Sequence, residues 1–205
     1  ILVITLCIGT LGVNTTSLAA LLAAGGMAIG MALSGTLQNF AGGIILLIFK
    51  PFKVGDFIEA QGYSGTVSEV NMVSTKLIST DNRVIIIPNG ALSSGNINNY
   101  SEKETRRVDF KIPMAHGTDA DKFIEKVNSI IAADTRVFDS FVAVNDLNTS
   151  GVEFVIKLWV KSPDYWPVYH DFYKTLYTEL NKENFSFAAN RLDISGNASP
   201  FDNQS

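Results

Sequence analysis

Residues 17–43 have the sequence Ser17-Leu-Ala-Ala-Leu-Leu-Ala-Ala-Gly-Gly-Met-Ala-Ile-Gly-Met-Ala-Leu-Ser-Gly-Thr-Leu-Gln-Asn-Phe-Ala-Gly-Gly43, in which no side chain is charged and nearly half are Gly or Ala. A helix that only has to dissolve in lipid is richer in Leu, Ile, Val and Phe. Small residues at spacings of three and four instead let helices approach each other closely. The stretch therefore predicts a membrane helix that packs against copies of itself.

Charge is divided sharply along the chain. Residues 1–49 contain no Asp, Glu, Lys, Arg or His, so all 16 Lys and Arg and all 20 Asp and Glu follow Phe49. This division predicts a membrane segment joined to a soluble one. A secretory signal has a basic start and a short apolar core, and this apolar run has no basic start and is far longer. Because it already begins at Ile1, we expect earlier membrane segments to precede it.

The remaining composition argues against several functions. The net charge of -4 disfavours nucleic acid, whose binders usually have a basic face. Cys7 is the only cysteine, which excludes a disulfide framework or a cysteine metal site. His116 and His170 are isolated in sequence, and no metal-ligand spacing or nucleophile motif is present. We therefore expect no enzyme activity, no cofactor and no metal.

The apolar run is too long for one straight membrane helix. Forty-nine helical residues would extend about 75 Å, whereas the hydrocarbon core is about 30 Å thick. The turn-forming segment from Gly12 to Ser17 is the first expected break, so residues 1–13 are interpreted as the end of a preceding membrane helix. Residues 14–50 form the next helix, with a kink expected at Gly35 and a second bend at Gly43. Pro51 ends it, and Lys50 and Lys53 mark the cytoplasmic side.

Spacing within this helix predicts three kinds of surface. Met27, Met31, Ser34 and Gln38 share one stripe at spacings of four, three and four. The small residues expected to pack helices together are Ala20, Ala23, Ala24, Gly26, Ala28 and Gly30.

A ring of such helices would turn Met27 and Met31 towards its centre, with Ser34 and Gln38 lining the hole below them. Narrow apolar rings exclude water and therefore ions. The alternative is that both methionines face lipid and the small stripes merely pair two helices. Pattern alone leaves these two interpretations open.

The charged part begins with short strands. Residues 54–59, 65–70, 74–79 and 83–87 are β-type runs separated by turn residues. They predict that residues 51–100 form a small all-β domain, of the SH3-like or Sm-like barrel kind. Pro88-Asn89-Gly90 is expected to end the last of these runs.

Residues 101–195 mix strands and helices. The predicted order is strand, helix, strand, strand, helix, which is typical of a ferredoxin-like α+β layer. The first helix should begin behind a Thr118/Asp119 cap. Residues 142–145 are predicted to be a strand, and the strand before the last helix alternates cleanly over residues 151–160. Residues 196–205 have no pattern and are interpreted as a disordered tail or a remnant of the expressed sequence.

Four motifs in order resemble the MscS-type small-conductance mechanosensitive channels of bacteria. They are residues 24–43 of the helix, Lys50-Pro-Phe-Lys-Val-Gly-Asp56, Gly62-x-x-Gly65-x-Val67 and Ile87-Pro-Asn-Gly90. The resemblance covers residues 1 to about 194, with the first helix of the family and most of the second missing.

The resemblance implies a fold, an activity and a location. It implies a homo-heptamer in the bacterial inner membrane, with a pore-lining third helix, a middle β-domain and an αβ vestibule in the cytoplasm. The channel would be opened by membrane tension and release ions and small osmolytes on hypo-osmotic shock. Expected partners are other copies of the chain, membrane lipid and the permeating solutes, with no nucleic acid.

Two departures from the family pattern are visible. Met27 and Met31 occupy positions where the family usually carries sealing leucines, so a flexible apolar seal is expected. Phe187-Ala-Ala-Asn-Arg191 replaces a proline-containing segment before the family's last strand.

The alternatives to a channel are a membrane-tethered Sm-like ring and a structural membrane oligomer without conductance. A coupled transporter normally needs ionisable groups at membrane depth, and this membrane stretch has none. Asp56 is interpreted as a turn or interface group. Arg106 and Arg107 are interpreted as part of a solvated face, with contact to anionic lipid or a neighbouring subunit as the alternative.

Overall fold

The computed structural model describes residues 16–188, and the chain divides into two compact units, Ile1–Glu102 and Lys103–Ser205. The expectations for residues 1–13 and 196–205 therefore lie outside the described residues. Each unit is built around its own sheet.

The first unit begins with helix α1, Thr16–Phe49, which is 34 residues long. At 1.5 Å per residue it extends about 51 Å. The helix assignment continues through Gly35 and Gly43, and the kink at Gly35 and the bend at Gly43 stay predictions. It ends where Lys50 takes a left-handed conformation (φ 47°) ahead of Pro51.

Within the described part of the chain, α1 is the one helix long and apolar enough to cross a membrane, with a mean hydropathy of 1.8 in its most apolar window. None of that window is buried inside the chain.

An antiparallel five-stranded sheet follows, with the order β4-β3-β2-β1-β5. Its strands are β1 Phe57–Ala60, β2 Tyr63–Val70, β3 Ser74–Ile78, β4 Val84–Pro88 and β5 Ile97–Asn99. The four predicted β runs are confirmed. The last of these runs ends at Pro88-Asn89-Gly90 as predicted, and a short helix that was not predicted, α2, Asn89–Ser94, follows between β4 and β5.

The core of this unit includes a residue of helix α1. Its buried apolar side chains are Leu46, Phe52, Ile58, Ala60, Val67, Leu77, Ile87 and Leu92. Leu46 is 4% exposed and belongs to α1. The end of α1 is therefore packed into the core of the β-domain.

The second unit contains a three-stranded antiparallel sheet with the order β6-β8-β7. Its elements are β6 Thr105–Met114, α3 Ala120–Ala132, β7 Val137–Asn148, β8 Gly151–Lys161, a short 3-10 turn Ser162–Asp164 and α4 Tyr165–Lys182. The predicted order of strands and helices is confirmed. Asp119 caps α3, since its side chain accepts a hydrogen bond from the backbone N–H of Lys122.

Both helices cover one face of this sheet. Phe123 on α3 and Phe172 on α4 are buried against strand residues such as Phe110 and Phe154. The described end of the chain returns to the β6 edge, where Phe187 bridges Met114. The architecture is thus an apolar helix followed by two sheet-containing units, while the SH3-like and ferredoxin-like descriptions stay interpretations.

Candidate pore helix and its dock on the β-domain

The first half of α1 is not buried by any other part of residues 16–188. Met27 and Met31 are each 67% exposed. Because the helix is continuous, the predicted spacing places these two residues on one face together with Ser34 and Gln38, which are also exposed. The Ser34 hydroxyl donates to the Met31 carbonyl at 2.9 Å, so its proton is used inside the helix.

The small residues of this half are equally open. Ala20, Ala23, Ala24 and Ala28 are exposed. A Cβ added to Gly26, Gly30 or Gly35 would meet no atom within 4 Å. The described part of the chain therefore leaves the predicted packing stripes uncovered.

The second half of α1 is different, because two of its glycines touch the β-domain directly. A Cβ on Gly42 would lie 2.6 Å from the carbonyl oxygen of Asn89. One on Gly43 would overlap the carbonyl oxygen of Met72. These two positions need glycine because the helix backbone lies directly against the backbone of the β-domain there, whereas Gly35 has free space around it. Sequence spacing did not predict a contact role for Gly42 or Gly43.

A hydrogen bond joins the helix to α2 one turn earlier. The backbone N–H of Gly90 donates to Oδ1 of Asn39 at 3.0 Å. A Cβ on Gly90 would lie 2.9 Å from that oxygen and 3.1 Å from Cγ of Gln38. Gln38, expected to line the pore, therefore has its stem at the edge of this contact.

Asn89 holds in place the part of the β-domain that contacts α1. Its side chain is fully buried, accepts from the Thr75 hydroxyl at 2.8 Å, and donates to the Asn71 carbonyl at 2.8 Å. Its backbone N–H donates to Val73 at 3.0 Å. Buried amides are costly to leave unpaired, and these bonds hold the loop that faces Gly42 and Gly43. We use "the glycine dock" for Asn39, Gly42 and Gly43 on α1 together with Met72, Asn89 and Gly90.

The connection after α1 is held by Asp56. Its Oδ2 accepts from the backbone N–H of Lys53 and from Nδ2 of Asn99, both at 2.9 Å. Asn99 Nδ2 also donates to the Pro51 carbonyl at 3.2 Å. Asp56 is thus a turn group, one of the two roles expected for it.

In the second unit, ion pairs tie the two helices together. Lys126 on α3 lies 2.8 Å from carboxylate oxygens of both Glu179 and Glu183, and Lys182 lies 2.7 Å from Glu179. Hydrogen bonds from Lys126 and then Lys182 lower the pKa of Glu179 to about 2. These groups neutralise one another and leave no free charge for a ligand.

The other candidate charges of the second unit are also engaged. Arg136 forms a two-pronged bond to Asp134 and a third to Asp171, and the bonds from Arg136 lower the pKa of Asp134. Arg107 pairs with Asp109, and Arg106 lies 3.9 Å above the ring of Tyr165. Among residues 16–188 no cluster of His, Cys, Asp and Glu could hold a metal ion.

Family models cover most of the described chain. Residues 35–102 match the model described as "Mechanosensitive ion channel, beta-domain", and residues 108–187 match "Mechanosensitive ion channel MscS, C-terminal".

Individual relatives match over nearly the whole chain. The small-conductance mechanosensitive channel of Edwardsiella ictaluri (strain 93-146) is 37% identical over 174 residues, which cover 83% of this chain and 61% of that protein. The protein of the same name from Helicobacter pylori (strain UM084) is 32% identical over 200 residues, covering 95% and 73%. An MscS family protein of Buchnera aphidicola is 36% identical, and the chain spans 62% of its length.

Solved structures have the same fold. The crystal structure of Helicobacter pylori MscS in its closed state aligns with a TM-score of 0.86 and 30% identity, over 93% of this chain and 77% of that one. Arabidopsis thaliana MSL1 aligns with a TM-score of 0.75 at 22% identity, a likeness of fold alone. These relatives are described as channels or MscS proteins, not as enzymes. With both soluble domains matched by family models and relatives aligned through the helix, the chain belongs to the MscS family of mechanosensitive channels.

Proposed function

We propose that this protein forms an ion channel opened by membrane tension, which releases ions and small osmolytes when the cell swells. The observation that carries the proposal is the division of α1. Its first half is charge-free, apolar and uncovered, and its second half is docked on a folded domain through the glycine dock. Such a helix is suited to line a pore whose frame lies outside the membrane.

Met27 and Met31 are the proposed seal. Both side chains are exposed on a single chain and share a face. In a ring of copies they would form two apolar collars, which exclude water and ions while the pore is narrow. Ser34 and Gln38 continue the same face and are the proposed polar lining below the collars.

Tension would favour the conformation that occupies more area in the plane of the membrane. The Ala and Gly stripes present few bulky groups between neighbouring copies, so helices can slide and tilt against each other. Gly35 and Gly43 are the proposed bends. The close contacts of Gly43 make Gly35 the freer of the two.

The proposed assembly is a homo-heptamer in the bacterial inner membrane, crossed more than once by each chain. The β-domain and the αβ unit would lie in the cytoplasm, on the side marked by Lys50 and Lys53. Membrane lipid and the permeating ions are its proposed partners.

The test is electrical. Purified protein is reconstituted into liposomes, and patches are recorded under suction. We expect currents that appear above a threshold tension. Met31→Ser should lower that threshold because a hydroxyl wets the collar, while Met31→Leu should keep it near the wild-type value. Val84→Ser is the control, since Val84 is similarly exposed but lies on β4 of the β-domain, outside the glycine dock.

Silent patches from well-folded, oligomeric protein would instead support the structural oligomer without conductance. Conducting patches with an unchanged threshold in both Met31→Ser and Met27→Ser would remove these residues as the seal.

A further inference from the structure

Asn89-Gly90 is the only asparagine–glycine pair in the sequence. Asparagine amides are among the thermolabile groups of proteins. A following glycine makes them most reactive, because no Cβ hinders attack of its backbone nitrogen on the side-chain amide. In this protein the pair lies in the glycine dock, at the start of α2. The most reactive amide pair of the chain therefore stands at the contact that holds α1.

The folded structure keeps both reacting groups of this pair occupied. The Gly90 backbone N–H donates to Oδ1 of Asn39 at 3.0 Å. The Asn89 side chain is fully buried, donates to the Asn71 carbonyl at 2.8 Å and accepts from the Thr75 hydroxyl at 2.8 Å. Attack requires the amide to rotate towards the Gly90 nitrogen, which breaks these bonds. Reaction is therefore confined to moments when this part of the domain opens.

Helix α1 covers the pair. It supplies the acceptor for the Gly90 N–H. A Cβ on Gly42 would lie 2.6 Å from the Asn89 carbonyl oxygen and 2.8 Å from the Gly90 nitrogen. Backbone contact this close leaves no room for a solvent base to reach the Gly90 proton. When α1 leaves the dock, that N–H loses its partner and becomes open to water.

The reaction is an intramolecular substitution followed by hydrolysis. A solvent base removes the Gly90 amide proton, and the nitrogen forms a bond to Cγ of Asn89. The bond from Cγ to the side-chain nitrogen breaks, and that nitrogen takes up a proton and leaves as ammonia. Water then opens the cyclic imide at either of its carbonyls, which gives aspartate or isoaspartate. Water is the only co-reactant.

Neither product fits the dock. Aspartate puts an oxygen where the Asn89 side-chain nitrogen now donates to the Asn71 carbonyl, so two oxygens would face each other and an unpaired charge would be buried. Isoaspartate adds a carbon to the backbone at the point where Gly42 leaves no space. Because the change is covalent, α1 could not dock again on that domain.

We propose that Asn89 is a deamidation site that α1 protects, so that time spent undocked is recorded as a permanent loss of the glycine dock. The pair thus limits how long α1 can stay away from the β-domain before its return is blocked. This inference goes beyond the proposed function and does not depend on conduction.

The test measures deamidation of the purified protein during incubation at mildly alkaline pH. Trypsin releases residues 84–103 as one peptide, because Arg83 and Lys103 are the cleavage sites around it. Fragmentation mass spectrometry locates the modified residue, and enzymatic methylation counts isoaspartate. In urea we expect Asn89 to be the fastest site of the chain. Folding should slow it by at least about ten-fold, since only the open state reacts.

Gly43→Ala should undo this protection, because the added methyl group overlaps the Met72 carbonyl and displaces α1. We expect Asn89 to deamidate about ten-fold faster than in the wild type, equivalent to about 1.4 kcal/mol of lost protection. Gly25→Ala is the matched control, since a Cβ there meets nothing within 4 Å, and it should keep the wild-type rate.

An internal reference separates opening of the dock from general unfolding. Asn128 is exposed on α3 and precedes a serine, another small residue, and its rate should be the same in every variant. If Gly43→Ala fails to fold, Asn39→Ala replaces it, because it removes the acceptor of the Gly90 N–H. Asn89→Asp mimics one product and should speed amide hydrogen exchange of residues 39–46 about ten-fold, whereas Asn128→Asp should not.

Three results would overturn the inference. Asn89 could react as fast in the folded wild type as in urea, which would show that the fold does not protect it. Gly43→Ala and Asn39→Ala could both keep the wild-type rate, which would show that α1 is not the cover. Asn89→Asp could leave exchange in α1 unchanged, which would show that the product still docks. Because no current is recorded, a protein that never conducts would contradict the proposed function and leave this inference intact.

Discussion

At the scale of single residues, the glycines of α1 fall into two classes that look identical in the sequence. Gly26, Gly30 and Gly35 have open space where a Cβ would stand, whereas Gly42 and Gly43 lie against backbone carbonyls. The first three glycines leave room for contacts with other copies of the chain. Gly42 and Gly43 already contact the β-domain of their own chain.

We expect Gly43→Ala to destabilise the protein by about 1–3 kcal/mol, since the added methyl group would overlap the Met72 carbonyl and force α1 away from the β-domain. Thermal unfolding of the purified protein measures the effect. Gly25→Ala is the control, because a Cβ there meets nothing within 4 Å and Ala favours helix over Gly. Equal melting temperatures for the two variants would contradict a tight dock.

Thr75→Val should also be destabilising, by about 1–3 kcal/mol, because it removes the hydroxyl that donates to the buried Oδ1 of Asn89. Thr75→Ser keeps the donor and should lie much closer to the wild type. The comparison uses the same thermal assay. A serine variant as unstable as the valine variant would show that shape, and not the hydrogen bond, holds this site.

At the scale of elements, α3 and α4 are held together by a shared apolar core and by ion pairs. Lys126 reaches from α3 to Glu179 and Glu183, at the end of α4 and just beyond it. Both carboxylates are partly open to solvent, so the ion pairs add to a junction that Phe123 and Phe172 already bury.

The depressed pKa of Glu179 predicts an acid dependence. A carboxylate whose pKa falls from 4.5 to about 2 on folding stabilises the folded state above pH 4.5. That contribution should be lost progressively as the pH falls from about 4.5 towards 2. Melting temperatures of the αβ unit across this range test it. Lys126→Met should flatten the dependence, while Lys122→Met, which removes an exposed lysine on the same helix, should not.

Elements also show what could be foreseen from the sequence. The charge-free helix and most strands were predictable, since composition and alternation are local signals. The β7 strand was predicted only around residues 142–145 but spans Val137–Asn148. Two irregularities, between Val137 and Asp139 and between Val144 and Asp146, interrupt its register and hide its alternation.

The glycine dock could not be foreseen in the same way. Gly43 and Asn89 are far apart in sequence, and their contact depends on the folded β-domain. The short helix α2 was missed because Pro88, Asn89 and Gly90 are also the usual residues of a turn. The Ile-Pro-Asn-Gly motif was visible, but its physical role became clear only from the buried Asn89 side chain.

At the scale of the whole molecule, residues 16–188 leave most of α1 uncovered. Large apolar side chains such as Leu21, Met27 and Leu33 are exposed on it. In the proposed channel, lipid would cover part of this surface, and the Ala and Gly stripes would pack against neighbouring copies.

We expect Gly26→Leu/Gly30→Leu to block close approach of neighbouring copies, so that fewer complete assemblies form or opening needs higher tension. Native mass spectrometry gives the number of subunits, and patch recording gives the threshold. Ile29→Leu is the control, because it keeps the volume of an exposed side chain on the same helix. Wild-type assembly together with a wild-type threshold in the double glycine variant would contradict packing through these stripes.

The clamp at Gly43 has a mechanical consequence. The glycine dock holds the second half of α1, so the proposed bend at Gly35 would be the pivot of the first half. Met27 lies about 12 Å along the helix from Gly35. Turning the first half by about 20° would move Met27 sideways by about 4 Å. The proposed methionine collars could therefore widen by a few ångströms while the β-domain stays unchanged.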